Sequence, residues 1–337
     1  MSARLSVIPA FIPHEGCPHA CVFCDQHRIT GVRERPSAHT VEQAMQQAAA
    51  LPPGAKRQLA FYGGSFTALP EELQEELLHA AQPYLADGRL SSLRVSTRPD
   101  AVDEAALRRL RRFGVGTVEL GAQSMDERVL LLSGRGHTAA EVETAAKRVK
   151  AAGFELILQM MTGLPGSTDE SDVETARRLI DLRPDGVRIY PTVIVEGTPL
   201  RALWRAGRYR EHTVEDAVRV CARILPLFEE AGIPVIRLGL NPTEELTGGG
   251  AVGGAYHPAL GELVRSRVLR GRAETLLADT EPGERVVLGV NRRELSQMIG
   301  RKRANLDWLR ERFSLRELSV RPTEIKSGEI CRIFLEK

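Results

Sequence analysis

Residues 14–26 read HEGCPHACVFCDQ and place three of the chain's five cysteines, Cys17, Cys21 and Cys24, within eight positions. The stretch directly follows RLSVIPAF, an apolar run typical of a buried strand. The other two cysteines lie alone in apolar segments, whereas a disulfide framework needs paired cysteines and an oxidising compartment. We therefore expect a functional group of thiols in a loop at the end of the first strand.

Strand candidates alternate with longer segments of helical spacing over about the first 240 residues. The strand candidates are RLSVIPAF, RQLAFYGG, SLRVSTRP, TVELGAQS, FELILQMM, GVRIYPTV and IPVIRLGL. Repeated strand–helix alternation predicts a parallel sheet with right-handed crossovers, in a barrel or a doubly wound sheet. In both architectures ligands bind at the carboxyl ends of the strands, which is where the cysteine loop would lie.

Composition limits the class of protein. The 337 residues are 42% hydrophobic, and the formal net charge is only +2, so nucleic acid would have to bind at a local patch. We found no run of eighteen apolar residues and no signal peptide, and we expect a cytoplasmic protein without membrane contact. The expected domains are a barrel over 1–240, a glycine-rich lid or connector over 241–280 containing TGGGAVGGAYHPALG, and a small α+β domain over 281–337.

The spacing Cys-x3-Cys-x2-Cys, with Phe23 before the last cysteine, resembles the signature of the radical S-adenosylmethionine (SAM) superfamily. The resemblance implies a partial (β/α)6 TIM-type barrel, a [4Fe-4S] cluster on the three cysteines, and SAM on the fourth iron. Three cysteine ligands are consistent with a four-iron cluster that binds SAM, because four would leave no iron free to bind it. A zinc site completed by His14, His19 or His27 is the alternative that the residues leave open.

Later segments match the same superfamily in the same order. FYGGSFTALP, STRPD, VELGAQS, SGRGHT and RIYPTVIVEGTPLRALWRAGRY resemble the radical domain of the Elongator catalytic subunit family. LGAQS, GRGHT and GLPGST are also similar to oxygen-independent coproporphyrinogen III oxidase, a more distant relative. The resemblance covers residues 5 to about 240. The SAM-binding residues that it implies are Phe23, Gly63, Gly64, Ser65, Thr97, Gln123, Arg135 and Gln159.

The resemblance gives several of these residues a role. Gly63 and Gly64 would offer backbone carbonyls to the SAM amino group, with Ser65 where the superfamily usually has Glu. Gln123 and Gln159 would contact ribose and sugar hydroxyls, although strand-capping roles would explain them equally. Arg135 would pair with the methionine carboxylate as a two-pronged cation, and a solvated salt bridge is its alternative.

The adenine and substrate contacts come from later strands. Phe23 and residues 160–163 would flank the adenine, unless they are core residues. Tyr190 and Thr192, which close the sixth strand, are expected to face substrate. His257, in the glycine-rich segment, would act on substrate or donate a proton; a surface position is the alternative.

The tail, residues 285–335, reads strand, helix, basic turn, helix, strand, strand, which resembles a KH RNA-binding module. Its turn is Gly300-Arg301-Lys302-Arg303, so the second glycine of a Gly-x-x-Gly loop is lost while three cations are present. The cations predict attraction to phosphate. A small basic α/β cap is the alternative.

These features predict a radical SAM enzyme that forms a 5′-deoxyadenosyl radical and abstracts hydrogen from RNA, with transfer RNA expected. The alternatives are a radical enzyme acting on a tetrapyrrole-like or nucleobase-like metabolite and a non-catalytic, metal-bearing RNA-binding protein. Fewer than 100 residues follow Leu240, too few for the Elongator acetyltransferase domain plus a lid, so acetyl transfer to a transfer-RNA uridine does not follow from the resemblance. Asp25 and Gln26 follow Cys24 where the coproporphyrinogen oxidase has a fourth cysteine. Flavodoxin or ferredoxin is the expected electron donor.

Overall fold

The computed structural model describes residues 5–50 and 56–334, which divide into two compact units. The first unit runs to Ala217 and includes Leu227–Pro258. The second unit consists of Val218–Pro226 and the chain from Ala259 onward.

The first unit is built on a parallel sheet. Its strands, in chain order, are β1 (Leu5–Phe11), β2 (Lys56–Tyr62), β3 (Ser92–Thr97), β4 (Val115–Gln123), β5 (Glu155–Thr162), β6 (Gly186–Pro191), β7 (Val193–Val195), β8 (Val235–Leu238) and β9 (Ala251–Gly254). All except β7 and β9 form one seven-stranded sheet in the order β1-β2-β3-β4-β5-β6-β8. Because neighbours in the sheet follow chain order, this is the curled half-barrel of the predicted TIM type and not a doubly wound sheet.

Helices follow these strands along the chain, and several of them pack against the sheet. They are α1 (Gln26–Thr30), α2 (Ala38–Gln47), α3 (Glu71–Ala86), α4 (Glu104–Arg112), α5 (Glu127–Leu132), α6 (Ala139–Ala151), α7 (Asp169–Asp181), α8 (Pro199–Arg205) and α9 (Val214–Glu230). The strand residues beneath them are apolar and fully buried, as in the row Leu120, Leu158 and Val187 across β4, β5 and β6. The intervening residues point to the inner face, because side chains alternate along a strand.

The glycine-rich segment is not the irregular loop that its composition suggests. Residues Leu246–Gly250 form a π-helical turn, and β9 pairs antiparallel with β7. Leu246 packs with Val193 and Val195 in an apolar cluster. Strand pairing and this cluster offset the low strand propensity of glycine. A lid function for the segment stays a prediction.

The second unit contains the elements predicted for the tail. They are α10 (Leu260–Leu276), β10 (Arg285–Asn291), α11 (Leu295–Ile299), α12 (Ala304–Arg312), β11 (Glu317–Thr323) and β12 (Ile330–Ile333). The sheet order is β11-β10-β12, with β10 parallel to β11 and antiparallel to β12. Buried apolar residues of α10, α11, α12 and this sheet form its core, so the unit has a small α+β fold of its own.

Across residues 5–50 and 56–334, no helix combines the length and apolar character that crossing a bilayer requires.

Candidate active site

The cysteine loop lies directly on the backbone at the end of β2. A Cβ atom on Gly64 would overlap the carbonyl oxygens of Ile12 and Glu15, and one on Gly16 would overlap the carbonyl oxygen of Ser65. The Ser65 N–H donates to the Glu15 carbonyl at 2.9 Å. The glycines therefore permit contact between two backbones, which no side chain at these positions would allow.

The SGRGHT segment, residues 133–138, is a second part of the chain that contacts the cysteine loop. The Val22 N–H donates to the Ser133 carbonyl at 3.1 Å, and the His19 ring fills the space where a side chain on Gly136 would lie. Thr138 caps α6 in a capping box with Glu141, so the preceding residues form the loop between α5 and α6. This loop and the end of β2 together position the three cysteines.

The sulfur atoms of Cys21 and Cys24 accept hydrogen bonds from side-chain nitrogens. Arg135 Nη1 lies 3.1 Å from Cys21 Sγ, and Gln26 Nε2 lies 3.1 Å from Cys24 Sγ. Burial raises the pKa of Cys24 to about 12, although the hydrogen bond from Gln26 lowers it. Burial, and after it the charge of Cys21, raise the pKa of Cys17. Thiolates at this place need compensating positive charge, which iron supplies and which nitrogen donors to sulfur support.

The remaining Arg135 nitrogens also have partners. Nη2 donates to the Gly121 carbonyl at 2.7 Å, and Nε lies 3.2 Å from His137 Nε2. Burial, followed by the Arg135 charge, lowers the pKa of His137 to about 4, so the ring is a neutral acceptor at neutral pH. The structure brings Arg135 to the cysteine loop, and its predicted pairing with the SAM carboxylate stays a prediction.

Two of the histidines that could complete a zinc site have hydrogen-bond partners within the protein. Within the described parts of the chain, no three His, Cys, Asp or Glu side chains converge as ligands of one metal ion. His14 Nε2 accepts the Gln26 N–H at 2.8 Å, and His27 Nδ1 lies 2.9 Å from the Val32 carbonyl. A zinc site on these cysteines stays an alternative prediction at this point.

Ser65 and Thr97 meet beside the glycine pair. Their hydroxyls lie 3.0 Å apart, Thr67 Oγ1 lies 2.6 Å from Thr97 Oγ1, and the Arg98 N–H donates to Ser65 Oγ at 3.2 Å. Both predicted residues are buried. They link the ends of β2 and β3, which holds the glycine pair in place.

Gln123 and Gln159 also come together. Gln159 Nε2, inside β5, donates at 3.2 Å to Oε1 of Gln123, the last residue of β4. Gln123 has a φ of 64°, which costs a residue other than glycine of order 1 kcal/mol. A register shift in the β4–β5 pairing at this point turns the side chain toward its partner. Strain of this kind is found preferentially at functional sites.

An apolar wall borders the same edge of the sheet. Phe23 and Tyr190 pack against the buried residues Val129, Met161 and Leu164. This brings Phe23, the predicted adenine stretch and Tyr190 together. Within that stretch Met161 lies in the wall, since it pairs in register with Tyr190.

A charged network lies below this wall, on the inner face of the sheet. Glu119 accepts hydrogen bonds from Arg94 at 2.6 Å, from Tyr62 at 2.9 Å and from Arg188 at 3.1 Å. Arg188 also donates to the hydroxyls of Tyr62, at 2.7 Å, and Tyr190, at 3.2 Å. Burial, followed by the Glu119 charge, raises the pKa of Tyr62, which keeps its hydroxyl protonated. Glu119 is thus shared by two arginines, and Glu155 lies 3.8 Å from Arg94 as a second acid. Arg188, held by Glu119, in turn fixes the orientation of Tyr190.

Replacing Glu119 with glutamine should destabilise the protein strongly. Arg94 and Glu119 are only 3% and 2% exposed, so the variant would leave two arginines without their buried counter-charge. We expect the free energy of unfolding to fall by about 3 kcal/mol, measured by urea denaturation. Glu75→Gln, which breaks the exposed Arg112–Glu75 pair, should cost less than about 1 kcal/mol. Equal losses in the two variants would contradict the network.

Other predicted residues are placed as follows. Thr192 is buried and donates through Oγ1 to the Thr162 carbonyl at 2.7 Å, so its hydroxyl links β5 to the segment after β6. Its predicted contact with substrate is not supported by this orientation. His257 follows the end of β9, and its role stays a prediction.

Sequence reasoning missed several residues at this site. Gln26, Arg98 and Glu119 belong to quoted segments but were given no role. The alternation of side chains along β4 could have identified Glu119, because it places Glu119 on the same face of the sheet as Gly121. Gln26 gave none, because its contact depends on the fold of the cysteine loop.

Comparison with known proteins agrees with this geometry. The family model described as Radical SAM superfamily matches residues 11–179, and the Radical_SAM C-terminal domain matches residues 184–270. Elongator complex protein 3 of Homo sapiens is 31% identical over 210 residues, covering 56% of this chain and 38% of that protein. The tRNA uridine(34) acetyltransferase of Methanocaldococcus jannaschii is 27% identical over 257 residues, covering 64% of this chain and 48% of that protein.

The fold has a solved counterpart. The archaeal Methanocaldococcus infernus Elp3 with an N-terminal deletion superposes with a TM-score of 0.63 at 23% identity, over 80% of this chain and 64% of that chain. This chain thus spans less than half the length of the two curated relatives described above. A family model that covers half of the chain, on a half-barrel with the three-cysteine loop, shows that the chain belongs to the radical SAM superfamily of enzymes.

Proposed function

We propose that the chain binds a [4Fe-4S] cluster through Cys17, Cys21 and Cys24 and cleaves SAM reductively. The observation that carries this proposal is the docking of the cysteine loop on Gly64, at the sheet edge where Gln123 meets Gln159. When bound, the cluster and SAM supply a 5′-deoxyadenosyl radical that abstracts hydrogen from a substrate carbon.

The chain's own residues would bind and orient the reactants. The Gly63 carbonyl, which accepts the His14 N–H at 2.9 Å, would accept from the SAM amino group through its second lone pair. The Gln123–Gln159 pair offers amide groups to the ribose hydroxyls. The apolar wall takes the adenine and excludes water from it. Tyr190, whose hydroxyl oxygen accepts from Arg188, keeps its own proton available for a substrate acceptor.

We propose RNA, and transfer RNA in particular, as the substrate class. One supporting observation is the relative named as a tRNA uridine(34) acetyltransferase. The other is the turn between α11 and α12, where Arg301, Lys302 and Arg303 are exposed. Lys302 and Arg303 have φ values of 51° and 66°, a conformation that favours glycine. Exposed cations on a strained turn suit contact with phosphates.

Removing the three cations should weaken RNA binding. For the Arg301→Gln, Lys302→Gln, Arg303→Gln variant we expect the dissociation constant for transfer RNA to rise at least about tenfold, with a shallower salt dependence. Fluorescence anisotropy over a salt series measures both. The matched control removes two Arg and one Lys from the exposed positions Arg108, Lys147 and Arg177 of the first unit. Equal losses in both variants would mean that only net charge matters.

Anaerobic reconstitution tests the proposed chemistry. Protein given iron and sulfide should become brown, and with SAM and reductant it should release 5′-deoxyadenosine; a flavodoxin or ferredoxin is the proposed physiological reductant. Total RNA from cells with and without the gene should differ in one modified nucleoside. Unchanged RNA with active 5′-deoxyadenosine formation would instead favour a small-metabolite substrate.

A further inference from the structure

Three side chains from later parts of the chain converge on Gly163, the first residue after β5. The Gly163 N–H donates to the Asp172 carboxylate at 2.9 Å, and the Tyr209 hydroxyl donates to the Gly163 carbonyl at 2.7 Å. Gly163 has a φ of 72°, and the His212 ring fills the space that a Cβ atom would need. Both polar backbone groups of one glycine are thus held by buried side chains, and its third side is packed.

The loop held in this way is part of the apolar wall. Met161, just before Gly163, and Leu164, just after it, belong to the cluster that contains Phe23 and Tyr190. Asp172 also interacts with the Ser167 side chain, so one carboxylate holds the beginning and the end of residues 163–167. A shift of this loop would move Leu164 directly and would disturb the end of β5, which carries Met161.

We propose that Asp172 and Tyr209 are positioning residues, which hold residues 163–167 as the surface that receives the adenosine part of SAM. This inference rests on the proposed function, because it takes the apolar wall as the adenosine site. Both polar contacts are with the backbone of Gly163, so both side chains would act through this glycine. The Tyr209 ring also lies in the apolar cluster against which Phe23 packs, and Tyr209→Phe keeps that ring.

The two supports differ in their response to pH. Burial raises the pKa of Asp172 to about 7, against the Gly163 N–H bond and together with the nearby acids Asp169 and Asp126. Burial also raises the pKa of Tyr209, so its hydroxyl stays neutral at every pH of interest. An ionised acceptor makes the stronger bond. The Asp172 support should therefore strengthen as pH rises through about 7, while the Tyr209 support should not change.

His212 is a further titratable group here, since its ring packs on Gly163 and its Nε2 lies 3.2 Å from Thr162 Oγ1. Asp216 and Glu211 face Tyr209 from the same side. A comparison of variants, each measured against the wild type at every pH, separates Asp172 from these groups.

The test is the affinity for SAM of the reconstituted protein, as wild type, Asp172→Asn and Tyr209→Phe, between about pH 6 and about pH 8.5. Asp172→Asn should match the wild type near pH 6 and bind about fivefold more weakly near pH 8.5. Tyr209→Phe should bind SAM more weakly than the wild type, by the same factor at every pH. The inference is overturned if the ratio for Asp172→Asn is independent of pH or if Tyr209→Phe binds as the wild type does.

Hydrogen exchange of the cluster-free protein separates this inference from the proposed function. Amides of residues 160–168 should exchange faster in both variants than in the wild type near pH 8, with far-UV circular dichroism unchanged. Unchanged exchange would refute the positioning role. Faster exchange with unchanged SAM affinity would show that the loop is held as described but does not form the adenosine site, which refutes the inference at its link to the proposed function.

Discussion

Replacing Cys24 with alanine is expected to abolish both iron binding and 5′-deoxyadenosine formation. Removal of residues that merely orient a metal ligand typically costs about 10- to 100-fold in metal affinity or activity, so loss of a ligand should cost more than about 100-fold. The reason is specific to this loop. Two of the three cysteine ligands would remain, and burial disfavours the Cys17 thiolate where no bound iron offsets its charge. Iron and sulfide analysis, the visible spectrum and 5′-deoxyadenosine release measure the effect.

The matched control is Cys331→Ala, because Cys331 is a half-buried free cysteine on β12 of the second unit. It should keep the full iron content and activity. Cys17→Ala and Cys21→Ala should behave as Cys24→Ala does. A Cys24→Ala protein that retains a four-iron cluster and wild-type turnover would show that other residues hold the metal.

Much of the fold and part of the site could be predicted from the sequence, for a simple reason. In a parallel sheet the ends of successive strands meet at one edge, so residues that follow strands far apart in the chain become neighbours. Gly64, Thr97 and Gln123 all follow or end strand runs, and the structure brings them to one edge with the cysteine loop. Gln159 lies inside its strand and reaches this edge through its contact with Gln123. Local signals sufficed because backbone topology sets these distances.

Contacts that depend on side-chain packing could not be predicted. Arg94 and Glu119 are charged residues within apolar strands, a pattern usually read as a solvent-exposed face, yet both are buried on the inner face of the half-barrel. Asp172 lies among acidic residues at the start of α7, a pattern that usually indicates a solvent-exposed helix terminus. Its contact with Gly163 depends on how the turn after β5 folds back. The spacing of residues in the sequence does not predict such a turn.

Replacing Gly64 with alanine is the second change with a large expected effect. A single methyl group would overlap two backbone carbonyl oxygens, those of Ile12 and Glu15, and backbone cannot rotate away as a long side chain can. Overpacking of this kind costs about 1–3 kcal/mol in stability. Because Glu15 lies two residues before Cys17, relief of the overlap would displace the cysteine loop. We expect iron content to fall by at least half and 5′-deoxyadenosine release to fall about 10- to 100-fold.

The effect of Gly64→Ala should come from the lack of space for a methyl group and not from backbone conformation. A comparison with Gly271→Ala can show this. Gly271 lies inside α10, where a methyl group would have no neighbouring atom within 4 Å, and Gly271→Ala should raise the free energy of unfolding by about 0.5–1 kcal/mol with normal iron content. Gly63 differs from Gly64 because its φ of 92° disfavours any side chain. If Gly64→Ala kept full iron content and activity, the cysteine loop would not rest on the end of β2, and the site would have to be built without that contact.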